Sequence, residues 1–453
     1  MAGQVAETVQ LSISLDAPSV TVPPLNSVLV AGTNAQFADR VRAYSTVAAL
    51  TSDAEAQITA SMYEAKALTA ILAQNPTLST VKIGRIDTSA FVAQVNTYTV
   101  AATPTDGVFS IDLDGVEVAT FTASSSTNLA VAADLVADIN GSSIPITASD
   151  NLDGTFTCTA DAAGDGFTSV LASPNNELTQ VVTTPNTGWE SELALVAAED
   201  DEFYFLCHEA RTDAVIEDAA KWIAAQRKIQ IAQSSAGDII TADGALPSVA
   251  SRLKAQSLQR TALMYYATDA DAAAEAWTGK KAAANPDSVS TTWAHATLTG
   301  ITLNKITDTA QGFAHGKNAN YYGTLGGLGA MWEGKMASGH YIDSIVAVDW
   351  TYFRVLADLQ QVFISASNRN EKVPYTDGGL SRLAGVIRKR LAQGQTIGHF
   401  NPDVKPKVTF TRRKDAPSSD VQNRIARLSF EVELAHAIHK TVISGAVSTT
   451  LAS

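Results

Sequence analysis

The chain has 453 residues, 45% of them hydrophobic and 17% charged, with 32 Lys and Arg against 46 Asp and Glu for a net charge of −14. That length holds two or three domains with ample cores, and it contains no run of about 18 apolar residues of the kind that spans a membrane. No basic-then-apolar signal stands at the N-terminus, and Cys158 and Cys207 (in FTCTA and FYFLCHE) read as buried small hydrophobes, which implies a reducing cytoplasm.

The first element is an alternating strand over residues 5–16, with Val5, Val9, Leu11, Ile13 and Leu15 on one face, cut off from the rest of the chain by Pro23 and Pro24. SVLVAGT (27–33) is a buried-type strand, and Ser52-x-x-Glu55 reads as a capping box opening a helix with Ile58, Met62, Ala65, Leu68 and Leu72 at helical spacing. TVKIGRI (80–86) is the next strand. From about 93 to 185 the sequence turns rich in Thr, Ser, Asp and Gly, with Asp-Gly pairs at 106–107, 114–115 and 153–154. Alternation on both sides of Asp114-Gly115 is a hairpin signal. This stretch reads as a β-rich insert with one short helix near Leu129 to Ile139. FYFLCHE, a helix from Ile216 to Arg227, KIQIAQS (228–234), a helix from Pro247 and ALMYYAT (262–268) resume the earlier pattern. Apolar strands alternating with amphipathic helices predict an α/β core with a covered, mostly parallel sheet, α+β overall once the insert is counted.

Beyond residue 300, glycines and aromatics precede a long helix from Ile342 to Ala366. A second helix runs from Leu380 to Gln393, with Leu380, Leu383, Ile387 and Leu391 on one face. Arg382 and Lys389 lie opposite that face and Arg388 and Arg390 on its flanks. The last element alternates through Phe430, Val432, Leu434, His436, Ile438 and Lys440, and Val442 continues it. A strand at each end without a hairpin partner either closes the chain's own sheet or pairs with a neighbouring copy.

Charge is segregated. No Lys or Arg occurs between Arg85 and Arg211, whereas residues 369–440 carry 14 basic against 7 acidic residues, a local +7. The basic segment lacks aromatic interleaving and any nucleic-acid-binding module, so no nucleic-acid contact is expected. No G-x-S-x-G, H-E-x-x-H, P-loop or paired CxxC is present. His208-Glu209 lacks a second His four residues on, and His436 and His439 fall on opposite faces of a strand. Asp112-x-Asp114-Gly115 is accounted for by its hairpin, Gly327-x-Gly329 has no third glycine, and Glu199-Asp200-Asp201-Glu202 reads as a solvated turn. No catalytic, cofactor or metal site is expected. The cations Arg382, Arg388, Lys389 and Arg390 form the one constellation suited to docking, on an acidic partner.

VPPLNSVLVAGTNAQFADRVRAYSTVAAL, AILAQNPTLSTVKIGR, the DW-x-Y-F-R-V helix, KVPYTDGGL with its basic helix, and FEVELAHAIHK together resemble the contractile tail sheath proteins of tailed phages. The resemblance covers the α/β core and the C-terminal region and leaves out the insert. It implies an N-terminal arm (1–22), a core of subtilisin-like topology without a triad (23–92 and 186–300), an outer insert (93–185), a C-terminal sheath domain (301–440) and a C-terminal arm (441–453). It further implies hexameric rings stacked helically around a tube and linked by arm strands carrying Val9, Leu11, Ile13, Leu15, Val432, Leu434, Ile438 and Val442. Pro18, Pro23, Pro24 and the Gly445 region would flank these strands. The tube would face Arg382, Arg388, Lys389 and Arg390. Further implied partners are the tail tube protein and the baseplate and terminator proteins at the ends, with no membrane insertion. The location implied is the virion tail, after synthesis in the host bacterial cytoplasm. The sheath of a non-phage injection machine, another tail or baseplate protein, and an enzyme with an unrecognised site remain alternatives.

Overall fold

A computed structural model describes residues 24–439 apart from Ala245. Val9, Leu11, Ile13, Leu15 and Val442, expected on arm strands, lie outside the described residues. β1 (Val28–Gly32) is apolar throughout because both its faces are covered, and all five residues are buried. β2 (Val41–Tyr44), α1 (Val47–Ser52), α2 (Tyr63–Leu72) and β3 (Val81–Arg85) come next.

The expected capping box is a correction. Ser52 ends α1, which Thr46 caps, and α2 begins only at Tyr63 with no side-chain cap. The Asp53 carboxylate is the reason: it accepts the amides of Glu55 and Ala56 and the Tyr44 hydroxyl, and Gln57 then turns left-handed at φ +54°. A side chain that bonds its own following amides competes with helix propagation.

The Thr-rich stretch forms β4 (Val95–Val100), β5 (Gly107–Leu113), β6 (Val116–Ala123), α3 (Asn128–Gly141), β7 (Ile146–Asp150), β8 (Thr155–Ala160), β9 (Ser169–Ala172) and β10 (Leu178–Thr184). They make two antiparallel sheets, ordered β10-β4-β8-β7 and β6-β5-β9, around a core of their own that includes Tyr98, Phe109, Leu135, Phe156 and Cys158. Asp114 and Gly115 both have positive φ, +49° and +79°, the conformation a tight hairpin turn requires. No cation occurs here to offset its carboxylates.

The chain returns through α4 (Trp189–Glu199), β11 (Phe205–His208), α5 (Asp213–Ala224), β12 (Ile229–Ser234), α6 (Val249–Ala255), β13 (Thr261–Tyr265), α7 (Ala273–Ala282), α8 (Asp308–Gly316), β14 (Asn320–Leu325) and β15 (Leu328–Trp332). One eight-stranded sheet results, ordered β15-β14-β13-β12-β11-β1-β3-β2. Its inner six strands are parallel, and β15 and β2 pair antiparallel at the edges. The sheet thus runs past the expected boundary at residue 300, because β14 adds in parallel to β13 and turns back at Gly326-Gly327.

α9 (Ile342–Asn368), α10 (Asp377–Ile397), β16 (Lys407–Phe410), α11 (Ser418–Gln422) and β17 (Leu428–Glu431) complete the chain. The two long helices extend a few residues beyond the expected 342–366 and 380–393. The final strand stops at Glu431, and among the described residues beyond it there is an isolated bridge from Phe400 to Leu434. One continuous hydrophobic core runs from Leu25 and Val30 through Trp277 and Trp350 to Phe430 and Leu434, so α9, α10 and the terminal ribbon share the core of the sheet.

Asp349 of α9 keys these parts together. Its fully buried carboxylate accepts two bonds from Arg260 (2.7 and 2.8 Å) and one from the Tyr204 hydroxyl (2.7 Å), with Arg227 at 3.6 Å. Those three partners precede β11, β12 and β13, so one side chain of α9 sits beneath the starts of three neighbouring strands. Burial first, and then the Asp349 charge, push the Tyr204 hydroxyl well above its ordinary range.

A second buried carboxylate lies where the β-rich stretch meets the core. Asp218 of α5 is 5% exposed and accepts no hydrogen bond from the described residues, and Lys221 stands 3.7 Å away. Burial, and after it the like charges of Asp165, Glu190 and Glu217, raise its pKa from 3.8 to about 7. An acid raised by folding holds a proton in the native state that the unfolded chain releases, so stability is full below the unfolded pKa and falls as pH rises to about 7. Asp218→Asn is therefore expected to raise stability at pH 7.5 by about 1–3 kcal/mol, with the gain shrinking toward pH 4, as denaturant titrations across that window would show. Asp349→Ala is expected to cost about 3–5 kcal/mol, because it strands Arg260 and Tyr204 in the core; chemical denaturation measures it, and a loss under about 1 kcal/mol contradicts the keying role.

Candidate functional site

The basic face lies on α10. Thr376 caps the helix by accepting the Gly379 amide at 3.2 Å, and Gly398 closes it in the left-handed conformation at φ +96°. Leu380, Leu383, Ala384, Ile387 and Leu391 are buried. Gly394 permits close contact below them: a Cβ there would lie 2.4 Å from the Phe400 ring and 3.1 Å from Trp350.

Arg382, Arg388 and Lys389 are exposed, and none has a carboxylate within ion-pairing distance among the described residues. Arg388 leans over β16, donating to the Val408 carbonyl at 3.3 Å. Arg390 differs from the other three. It grips Asp358 of α9 through two bonds of 2.7 Å and lies 5.7 Å from the Trp350 ring centroid. Its charge is spent inside the subunit, a correction to its expected place among the outward cations. The cause is its flank position on α10, which turns it toward α9.

The loop between β16 and β17 adds cations that helix periodicity does not reveal. Arg412, Arg413, Lys414 and Arg424 are exposed, whereas Arg427 pairs with Asp420. The loop is tied to the start of α10: the Arg413 amide donates to Asp377 at 2.7 Å, and the Tyr375 hydroxyl donates to the Ile425 carbonyl at 2.8 Å. The Arg412-Arg413-Lys414 run is visible in the sequence; its position beside the start of α10 depends on the ribbon.

Of the residues expected on the C-terminal arm strand, Leu434 is 8% exposed and bridges Phe400, Val432 packs on the same core, and Ile438 is 83% exposed. His436 and His439 lie beyond the last strand, so the strand-face argument does not apply to them. His208 is a buried strand-end residue: its Nδ1 meets the Ala210 carbonyl at 2.8 Å, its Nε2 faces Gln230, and burial, then the Arg211 charge, lower its pKa to about 3. Cys158 and Cys207 are buried and free. Among the described residues no group of three His, Cys, Asp or Glu could hold a metal ion, and no helix is long and apolar enough to cross a membrane.

No protein-family model matches the chain, and no curated protein matches it. Solved structures do. The anti-feeding prophage helical sheath in its contracted state aligns over 98% of this chain and 100% of that chain, with a TM-score of 0.52 at 11% identity. A chain of the contracted anti-feeding prophage baseplate aligns over 99% and 100% with a TM-score of 0.51 at 12% identity. A sheath tail protein from Listeria innocua aligns over 91% and 92% with a TM-score of 0.50 at 8% identity. The fold is that of contractile sheath proteins.

Within this sheath fold the four cations of α10 divide by role. Arg390→Ala is expected to lower subunit stability by about 1–2 kcal/mol, since it removes two charge-assisted bonds at a partly buried site. The double reversal Arg388→Glu/Lys389→Glu should stay within about 0.5 kcal/mol of the parent. Urea titrations of both variants check this, and equal losses in the two would contradict the division.

Proposed function

We propose that the protein is the structural, non-enzymatic subunit of a contractile phage tail sheath. It polymerises as stacked hexameric rings around the tail tube and contracts to drive the tube through the host envelope for genome delivery. The observation that carries this reading is a likeness to a contractile sheath over essentially the whole chain. Baseplate and terminator proteins would cap the ends of such a polymer. The likeness to the anti-feeding prophage favours a second reading, the sheath of a non-phage contractile injection machine, which shares every contact argued here.

In this reading the chain's terminal segments pair with neighbouring copies. The β16–β17 ribbon has only two strands, so among the described residues each strand keeps one edge without a strand partner. Main-chain pairing at such an edge is strong and survives rigid-body rotation when flexible segments flank it. Arg382, Arg388 and Lys389 would dock on an acidic strip of the tube in the extended state, leaving Arg390 to hold α10 against α9. Exposed ion pairs are worth about 0.2–1 kcal/mol each. Repeated around every ring they sum along the tail, yet each breaks easily, which suits a metastable extended lattice that contracts without nucleotide hydrolysis.

The test is assembly. Sedimentation over a range of concentrations, with negative-stain imaging, should show rings or tubes for the full chain. Deletion of residues 1–20 should leave a monomer melting within a few degrees of the parent. Small closed oligomers at every concentration would overturn the sheath reading. A melting temperature lowered by tens of degrees on deletion would place the 5–16 strand in the chain's own sheet.

A further inference from the structure

We propose that His439, Tyr341, His295 and Thr292 form a clamp that fixes the point at which the C-terminal arm leaves the subunit, and that this fixation is required for the arm to reach a neighbouring copy. The second half rests on the sheath reading; the first does not.

The segment after β17 is anchored twice, with a gap between the anchors. At the first anchor the Asn401 amide donates to Glu433 O at 2.9 Å, the Ala435 amide donates to His399 O at 3.0 Å, and the buried Leu434 side chain fills the core edge. His436, Ala437 and Ile438 are then exposed. Three exposed residues contribute little to the core, and a chain end so released would ordinarily fray. Instead it returns to the body at His439. The His439 ring stands edge-on to Tyr341 with centroids 4.8 Å apart and to His295 at 5.4 Å, at interplanar angles of 90° and 87°. Its Nε2 lies 2.8 Å from Thr292 Oγ1. Thr292 Oγ1 also accepts the Ala294 amide at 3.2 Å, which fixes the hydroxyl beside the imidazole; with one O–H and a second lone pair it can pair with either tautomer of the ring.

The clamp residues come from two places that define the frame of the subunit. Thr292 and His295 belong to the segment covering the outer edge of β15: the His295 amide donates to Met331 O, and the Met331 amide donates to Ala296 O, each at 2.8 Å. Tyr341 is the residue that caps the start of α9, with the Lys335 ammonium 5.6 Å from its ring centroid. His439 is therefore held at once by the sheet edge and by the helix that Asp349 keys to the sheet. Leu25 lies on the same side, since Leu25, Asp343, Thr291 and His399 line one small cavity. An arm that continues from such a site has a defined origin. Without it, the freed stretch from Ala435 would widen the volume the arm explores and lower its effective concentration at a neighbour.

The test uses the full-length chain and the variants His439→Ala, Tyr341→Ala and Tyr341→Phe, with two readouts. Amide hydrogen exchange over residues 435–439, on monomer below its assembly concentration, reports the clamp itself. Sedimentation reports the critical concentration for assembly. Edge-to-face pairs of this kind correspond to about a two- to ten-fold change in an equilibrium. Both alanine variants should exchange several-fold faster at 435–439, melt within about two degrees of the parent, and need about two- to ten-fold more protein to assemble; Tyr341→Phe should match the parent in all three. Unchanged exchange in His439→Ala overturns the clamp. Faster exchange with an unchanged critical concentration overturns its role in directing the arm. If the parent chain itself never assembles, the sheath reading fails and with it the arm-directing role, while the exchange data still decide whether the clamp exists.

Discussion

The structure depends most on a single buried carboxylate. Asp349 is wholly enclosed and satisfied by Arg260, Tyr204 and the more distant Arg227, groups that stand before three adjacent parallel strands. A buried ion pair of this kind adds little net stability over a well-packed apolar replacement, because desolvation offsets most of the attraction. Its effect is directional. The observed placement of α9 on the sheet satisfies the carboxylate, and withdrawing it would leave a charge unpaired in the core. From α9 the constraint passes outward: Trp350 and Arg354 bond Asp287, Asp358 receives Arg390, and α10 is thereby set against α9 with its remaining cations facing solvent.

Segregated charge is the second organising feature. The β-rich stretch closes its own core from apolar residues, so its charged side chains can all be acidic without an ion pair to hold it. Where that stretch meets the core, burial and after it the like charges of Asp165, Glu190 and Glu217 raise the pKa of Asp218. At the other end of the chain, α10 and the β16–β17 loop gather exposed cations on a rigid support, since the loop is bonded to the first turn of α10. Rigid placement matters for docking, because weak exposed pairs contribute only when many are presented in register.

Local sequence carried much of the fold. The near-continuous apolar strands, the Asp-Gly hairpin and the apolar stripe of α10 are each dictated by residues within a few positions of one another, and each forms at the place expected. Expectations went astray where a distant or competing partner intervened. Ser52 and Glu55 have the spacing of a capping box, but Asp53 between them takes the amides that a helix would have used. The alternation from Phe430 to Lys440 is real in sequence, yet among the described residues past Glu431 it meets the 399–401 segment and then the Thr292–Tyr341 surface, so within the subunit it forms one isolated bridge rather than a ladder.

The same distinction separates two kinds of knowledge about the candidate site. Composition and periodicity alone determined that the chain alternates strand and helix, that a β-rich stretch interrupts it, and that a helix near the C-terminus turns cations away from its apolar face. These arise from side-chain chemistry acting over one or two turns or strands. Which of those cations is available, which distant loop joins them, and where the terminal segment is held were decided only in three dimensions. Arg390 and Lys389 are adjacent in sequence and alike in charge, but α9 presents Asp358 to one, while the other has no carboxylate partner among the described residues. Ion pairing and aromatic contact depend on the position of the partner through space, and residues 32 apart, as Arg390 and Asp358 are, meet only once the core has set their helices side by side.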